Sequence, residues 1–494
     1  MKMKKWLALF LAGVMLASAL VSCGNGGDIT PASTDAAPEV VDNQPDLPQD
    51  LDLSGDFHIL VSGNYARNDF QSESDDGTAV QIAIYRRNAF MKEKYGVDVT
   101  NEDVVKFGSS NGSGTGFNKI YTDYMAGEST YDAAMIGTYD VATLAYSGYI
   151  HDLNDLKYTN LTKAYWDQAA NRDLAVLGKM FYTTGDISIV DNLVTHAILF
   201  NKDMIRSYGL DNPYDLVHDD NWTLETFGAL VKSVGEDLDN NGVYDEKDRY
   251  GLLTWNDPMV AILASSGDKI ATVNSEGKIE LSLFSERVVN LYDKFEAIVF
   301  DQAHAYNYQY DNVSGTATPS AVWNTNRDAI FTEGRALFYL NTMATVERHR
   351  DSDVDFGVLP YPKYEADQED YGHMVSAFHS QFVCVPESAK DFDRSGAVLE
   401  LLAWQGQELL TPAYYEQTLV GKSVRDEESV EMLDIIFATH VYDIGAYYDI
   451  GTYRTQLGRL FVSRAAISSM YETYKSQAEA KIAQINEVFA QTAE

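Results

Sequence analysis

The sequence predicts an α/β protein divided into two lobes, and three observations lead there. An apolar strand, a helix and a second strand follow one another early in the chain, which makes a βαβ unit and hence a parallel sheet. The strand and helix pattern then repeats. Beyond residue 52, about 440 residues remain in a chain that is 45% hydrophobic, more than one core usually organises.

The N-terminus reads as an export signal, 1–22, rather than as part of the fold. Lys2, Lys4 and Lys5 precede an apolar run from Trp6 to Leu20. That run is shorter than the ~20 residues a membrane-crossing helix needs, and it ends in small residues and Cys23. Residues 23–52 are rich in Gly, Asn, Pro, Ser, Thr, Ala and Asp, with too few large apolar side chains to offset the entropy of ordering them, and predict a disordered tether.

The elements follow in order. Phe57-His58-Ile59-Leu60-Val61 is a strand closed by Ser62-Gly63-Asn64, Ala79 to Tyr95 has helical spacing, and Val97 opens a second strand. Phe117 to Ala126 reads as a helix, Tyr131 to Ile136 as a strand, and Val141 to Ser147 as a helix ending at Gly148. Thr223 is placed to cap a helix whose stripe is Leu224, Phe227, Leu230 and Val231, which makes Trp222 a core residue. Phe461 to Phe489 predicts a C-terminal docking helix.

The formal charge is −37, and removing the leader takes away three lysines and no acids, leaving −40. Such a chain is a poor partner for nucleic acid, and the global field disfavours a polyanionic ligand unless a local basic pocket overrides it. With Cys23 committed elsewhere, Cys384 in the run Phe382-Val383-Cys384-Val385 is the other cysteine, so an intrachain disulfide is excluded.

Asp237-Leu238-Asp239-Asn240-Asn241-Gly242-Val243-Tyr244-Asp245-Glu246-Lys247-Asp248 has the spacing of a twelve-residue calcium loop. Oxygens would come from Asp237, Asp239, Asn241, the Val243 carbonyl, Asp245 and Asp248, with Gly242 at the turn. The last position carries Asp where a bidentate Glu is usual, and an acidic surface turn with side-chain-to-backbone bonds is the competing reading. An ion bound there is expected to be structural.

No Gly-x-Ser-x-Gly or His-Glu-x-x-His occurs, and Gly112 to Gly116 lacks the Lys-Ser/Thr of a phosphate loop. Paired carboxylates for glycoside cleavage remain open among 74 acids, as a rival in which the chain is a surface glycosidase. Loops at the carboxyl ends of parallel strands are where ligands bind in such sheets. Here they begin at Gly63-Asn64-Tyr65 and at Gly137-Thr138-Tyr139-Asp140, as cleft loops or as plain turns. Aromatics beside amides or hydroxyls recur at Trp255-Asn256, Trp323-Asn324, Tyr339-Leu340-Asn341 and Phe378-His379-Ser380. A sugar site needs that pairing, a ring face for stacking and partners for hydroxyls.

Several motifs occur together in order. They are Ala126-Gly127-Glu128 with Tyr131-Asp132 and Gly148-Tyr149-Ile150-His151-Asp152-Leu153, then Leu199 to Met204, Asn221 to Glu225, Phe331 to Phe338, and Phe356 to Pro362. In this the chain resembles the bacterial extracellular solute-binding proteins of the maltose-binding type, over the whole length from about residue 57. Leu20-Val21-Ser22-Cys23 likewise resembles a lipobox, which makes Cys23 the acylated N-terminus of a lipoprotein.

The resemblance implies the two-lobed periplasmic-binding-protein-like fold of type II, with a ligand cleft between lobes joined by crossing strands. By that likeness lobe one is 53–186 plus 373–412, and lobe two is 187–372 plus 413–494. It implies capture of a carbohydrate, as an oligosaccharide, for an ABC permease, by a monomer lipid-anchored at the outer face of the cytoplasmic membrane. A peptide or other non-sugar solute is the alternative. Tyr139-Asp140 match a first-lobe cleft loop, with Asp140 as hydroxyl acceptor, and Trp323-Asn324 and Tyr339 to Met343 flank a segment that approaches the cleft. With Tyr65 and Trp255 these make the expected ligand set: Tyr65, Tyr139, Asp140, Trp255, Trp323, Asn324, Tyr339 and Asn341.

Overall fold

A computed structural model describes residues 43–65, 67–311, 316–319, 327–417 and 427–491. Cys23, Trp323 and Asn324 lie outside the described residues, as do the leader and most of the tether. Among the described residues no helix is long and apolar enough to cross a membrane.

The first sheet has four strands in the order Gln381–Cys384, Ala133–Gly137, Gly55–Ser62, Val97–Asp103. The βαβ start is as the sequence predicts. Gly55–Ser62 pairs in parallel with both Val97–Asp103 and Ala133–Gly137, and the helix Ala79–Tyr95 makes the first crossover. Thr78 begins that helix with a reciprocal capping box to Gln81, which satisfies two backbone N–H groups that have no partner within the helix. The fourth strand arrives from far along the chain and runs antiparallel to Ala133–Gly137.

The helix expected from Val141 starts earlier, at Thr138, directly off the strand, and ends at Gly148, whose φ of 74° suits glycine. Gly137 makes this sharp join possible. A Cβ there would meet Ser110 at 2.6 Å and the Gly63 backbone at 3.0 Å. Tyr139 and Asp140 therefore sit in the first helical turn rather than in a loop.

The second sheet has six strands, with Phe356–Leu359, His196–Asn201, Ala336–Thr342 and Arg249–Thr254 side by side. Gly235–Glu236 and Ala305–Asn307 share the outer edge of Arg249–Thr254. His196–Asn201 and Ala336–Thr342 are buried at every position, because helices and loops cover both faces of the sheet. Phe338 and Leu340 pack with Trp222 and Phe227 on one side, while Tyr339 packs with Phe331 and Phe356 on the other. Trp222 is a core residue as expected, fully buried with its indole N–H donated to the Pro360 carbonyl at 2.9 Å.

The predicted helix from Phe461 to Phe489 is two pieces. Leu460–Ser463 is a single turn, Arg464 takes a left-handed φ of 51°, and Ile467–Gln491 follows as one long helix. Near its end Phe489 stacks on Phe181 at 5.2 Å, and Asn486 exchanges two hydrogen bonds with the Ile279 backbone.

The chain crosses between the two sheets in segments that lie against one another. Thr195, just before the strand His196–Asn201, bridges to Val375 and accepts from Met343 N, and Val194 O accepts from Ser376 N. His373–Met374 pairs in turn with His440–Val441.

Candidate ligand cleft

The site is built by the carboxyl ends of parallel strands in both sheets. In the first sheet, Gly55–Ser62 delivers Asn64 and Tyr65, Val97–Asp103 leads to Phe107, and Ala133–Gly137 leads to Tyr139. In the second, Arg249–Thr254 delivers Trp255, Ala305–Asn307 delivers Tyr308, and Ala336–Thr342 carries Tyr339 and Asn341 near its end. The turn 376–380 connects the two sides. It is tied to the second through Ser376 N on Val194 O, and to the first through Thr138 N on Ser380 O and Asn64 Nδ2 on Phe378 O at 3.0 Å.

These segments bring their rings into one continuous row. Tyr65 meets His379 edge-on at 5.9 Å, His379 lies 6.3 Å from Trp255, Trp255 lies 6.3 Å from Tyr308 at an interplanar angle of 19°, and Tyr308 meets Tyr339 edge-on at 5.8 Å. A branch runs from His379 through Phe378 to Tyr139 at 6.4 Å and to Phe107 at 5.3 Å. Phe107 is 73% exposed while Tyr339 is fully buried, so the row leads from solvent into the second core.

Polar groups accompany the rings. Asn341 Nδ2 donates to the Tyr308 hydroxyl at 3.0 Å, and Gln309 Oε1 accepts from Asn256 N at 3.3 Å. The Arg454 guanidinium lies 4.1 Å over the Tyr139 ring and donates to its hydroxyl. Burial pushes the Tyr339 phenol up to about 12, with the charge of Asp328 acting in the same direction, and burial drives His379 down to about 4, so both are neutral near pH 7. Asp257 is half-buried beside this group, and burial raises its carboxyl to about 6 against the opposing pull of Arg454.

Five of the expected ligand residues, Tyr65, Tyr139, Trp255, Tyr339 and Asn341, thus lie in or on one row. Tyr339 sits behind Tyr308, fully buried, with its hydroxyl 3.4 Å from Asp328. Asp140 is also fully buried, and both its oxygens are engaged. Oδ1 accepts from the amides of Asn111, Gly112 and Gly114, and Oδ2 from that of Phe117. Here the carboxylate shapes the glycine-rich stretch. Phe107, Tyr308, Asp257 and Arg454 were not singled out from the sequence, although Tyr308 stands between Asn307 and Gln309, the same pairing of ring and amide, and Asp257 directly follows Trp255-Asn256.

A depression of about 700 Å³ lies elsewhere, along the helix Thr115–Ala126, and is lined by Asn111, Asn118, Lys119, Asp123 and Tyr131 among others. No ring of the row lines it. Its Asp123 carboxylate is already taken by Thr130 N and Ser388 Oγ.

The residues of the candidate calcium loop form a tight acidic turn. Carboxylate oxygens of Asp237, Asp239 and Asp248 lie within 4.8 Å of one another. Asp237 accepts from the amides of Asn241 and Gly242, and buried Asp248 accepts from those of Leu238 and Asp245. Three converging carboxylates fit a hard divalent cation, whereas Asn241 Oδ1 and Asp245 Oδ1 accept from the amides of Val243 and Lys247.

Comparison with known proteins places this architecture. Structures similar to it include an ABC substrate-binding protein from Listeria monocytogenes in complex with cycloalternan, at 13% identity and a TM-score of 0.52, covering 88% of this chain and 99% of that one. The maltose/maltodextrin-binding domain from Bdellovibrio bacteriovorus bound to maltotriose matches at 15% identity and 0.51, covering 89% and 100%. UspC from M. tuberculosis matches at 14% identity and 0.53, covering 86% and 100%. At such identities the likeness establishes the fold, the two-lobed type II periplasmic-binding-protein architecture. A search of curated protein sequences finds no match. The family model for bacterial extracellular solute-binding proteins matches residues 71–404, two thirds of the sequence, and the chain belongs to that family.

Proposed function

We propose that this protein is the substrate-capturing subunit of an ABC importer, and that it takes an oligosaccharide into the cleft between its lobes. The observation that carries this reading is the row of aromatic rings from Tyr65 through His379 and Trp255 to Tyr308, accompanied by the amides of Asn256 and Asn341. Ring faces stack on the apolar faces of sugars, and amides pair with hydroxyls. The glycans bound in similar structures, cycloalternan and maltotriose, are of the same chemical class.

Capture needs no covalent step. Residues from both lobes engage the sugar, bending of the crossing segments closes the lobes, and the closed form docks on a membrane permease. Acylation of Cys23 holds the protein at the outer face of the cytoplasmic membrane; the tether expected over 23–52 is shorter than that, because Leu47 and Leu51 pack against the core and Lys163 donates to the Gln44 carbonyl. Calcium in the loop 237–248 braces the second lobe, with Asp237, Asp239, Asn241, the Val243 carbonyl, Asp245 and Asp248 as its oxygens.

The first test is a thermal-shift screen of the protein lacking residues 1–42 against oligosaccharides, monosaccharides, peptides and amino acids. A ligand that binds only the folded state at ~100 times its dissociation constant adds about 2.7 kcal/mol. Stabilisation by one glycan class, with the glycan recovered intact after long incubation, is the expected result. Stabilisation by peptides alone, or release of cleaved sugar, would overturn the reading.

A further inference from the structure

Directly after Trp255 the chain holds polar groups whose hydrogen bonds the described residues do not complete. Among the described residues, Oδ1 of Asn256 and Nε of Arg454 are buried without a hydrogen-bond partner. The carboxylate of Asp257 feels the charge of Arg454 but accepts no hydrogen bond from any described residue. The three are neighbours. The helix Tyr453–Gly458 lies against Asn256, since a Cβ on Gly458 would stand 3.4 Å from Asn256 Nδ2, and Arg454 is one turn back along the same helix. From there its guanidinium covers Tyr139, whose ring reaches the row through Phe378.

Leaving buried donors and acceptors unmade is costly, and such groups are completed by ordered water or by a ligand. The set here is one buried donor, one buried acceptor and the half-buried carboxylate of Asp257, directly after Trp255 in the chain, whose ring lies nearly parallel to those of His196 and Tyr308. A hydroxyl both donates and accepts, so adjacent hydroxyls on one sugar ring can accept from Arg454 Nε while donating to Asp257 and to Asn256 Oδ1.

Resting on the carbohydrate reading above, we propose that Asn256, Asp257 and Arg454 form a polar clamp that selects a neutral sugar by its adjacent hydroxyls. An acidic sugar would bring its carboxylate against that of Asp257, and a free amino acid would occupy Asp257 and Arg454 but leave the ring row unused.

The clamp makes capture depend on pH. Arg454 faces Asp257, with Asp449 3.6 Å behind it, and the phenols of Tyr139 and Tyr361 also face this group. Burial keeps both phenols protonated, and it keeps His196 and His379 neutral. Between pH 5 and pH 8 Asp257 is therefore the member of this set that changes charge. Its carboxyl, raised to about 6 by burial, is ionised at pH 8 and mostly protonated at pH 5. A contact that needs the carboxylate is present at pH 8 and weakens about 10-fold at pH 5.

The experiment titrates maltotriose, raffinose, xylotriose, a glucuronate-containing trisaccharide and a dipeptide into the wild type, Asp257→Asn and Arg454→Lys at pH 8 and pH 5 by calorimetry, with thermal unfolding as a check on folding. The wild type is expected to bind at least one neutral trisaccharide about 10-fold more weakly at pH 5. Asp257→Asn should bind it more weakly at pH 8 with a flat pH profile, and Arg454→Lys, which keeps the charge but loses Nε, should also bind it more weakly. Neutral-sugar binding that is unchanged in Asp257→Asn overturns the clamp and leaves carbohydrate capture standing, and so does preference for the glucuronate. Binding of the dipeptide alone, or of none of the five, overturns carbohydrate capture and the clamp with it.

Discussion

Replacing Asp140 with alanine removes one acceptor from four backbone amides at once. Those of Asn111, Gly112 and Gly114 converge on Oδ1 at 3.2, 2.9 and 3.0 Å, and that of Phe117 reaches Oδ2 at 3.2 Å. Hydrogen bonds to a charged group contribute roughly 1.5–3 kcal/mol each, but four bonds to one carboxylate are not additive, and amides near the surface recover water. The net cost is about 3–5 kcal/mol for Asp140→Ala, while Asp140→Asn, which keeps an acceptor for the three amides on Oδ1, costs about 1–2 kcal/mol. Urea unfolding followed by circular dichroism gives the difference, and hydrogen exchange at residues 111–117 shows whether the loss is local. A cost under about 1 kcal/mol for the alanine variant, with exchange at those amides unchanged, would refute the assignment of Asp140 as the clamp of this loop. A glycan that loses more than tenfold in affinity in the asparagine variant, with stability intact, would show instead that the carboxylate meets the ligand.

His440 Nδ1 lies 2.9 Å from Asp167 and its Nε2 3.1 Å from the Thr195 hydroxyl, which itself donates to the Asp191 carbonyl, an arrangement that a doubly protonated ring satisfies. Burial opposes the charge, yet the hydrogen bond and charge of Asp167 hold His440 above its ordinary range, and burial of Asp167 is likewise outweighed by His440, which lowers it. Stability from the raised His440 is in place below about pH 6.5 and lost as pH rises through its folded value, and that from the lowered Asp167 is in place above about pH 4 and lost as pH falls, so His440→Gln should flatten the alkaline limb of a melting-temperature profile. Calcium should raise the melting temperature of the wild type and leave that of the Asp237→Ala, Asp239→Ala double variant unmoved, and an equal shift in both would place the ion elsewhere. Burial pushes the Cys384 thiol far above its usual range, so a maleimide should label it in urea and not in the native protein, as mass spectrometry would show.

Much of this was legible in the sequence. The βαβ start, the helix ends at Gly96 and Gly148 and the buried Trp222 follow from periodicity and capping, which act locally. Two boundaries moved for tertiary reasons. The helix at Thr138 begins early because Gly137 lets the chain turn against Ser110, and the C-terminal helix breaks at Arg464, whose guanidinium lies 3.5 Å over Phe300. The aromatics of the cleft could be nominated because rings beside amides stand out even among 32 tyrosines. Their order in the row could not, because it depends on which strand ends meet. Nor could the engagement of Asp140, whose partners lie more than 20 residues away, or the arrival of Arg454 beside Tyr139 from the far end of the chain.

The turn 376–380 is anchored at one end to Val194, in the crossing segments, and at the other to Thr138 and Asn64 beside the first sheet. Phe378 and His379 ride on it as a pointer rides on a gear between two plates. Because the turn is bonded on both sides, a change in the angle between the sheets would be transmitted to these two rings. On the proposed reading, this links occupancy to shape mechanically, so that a permease could sense a full cleft without touching its contents.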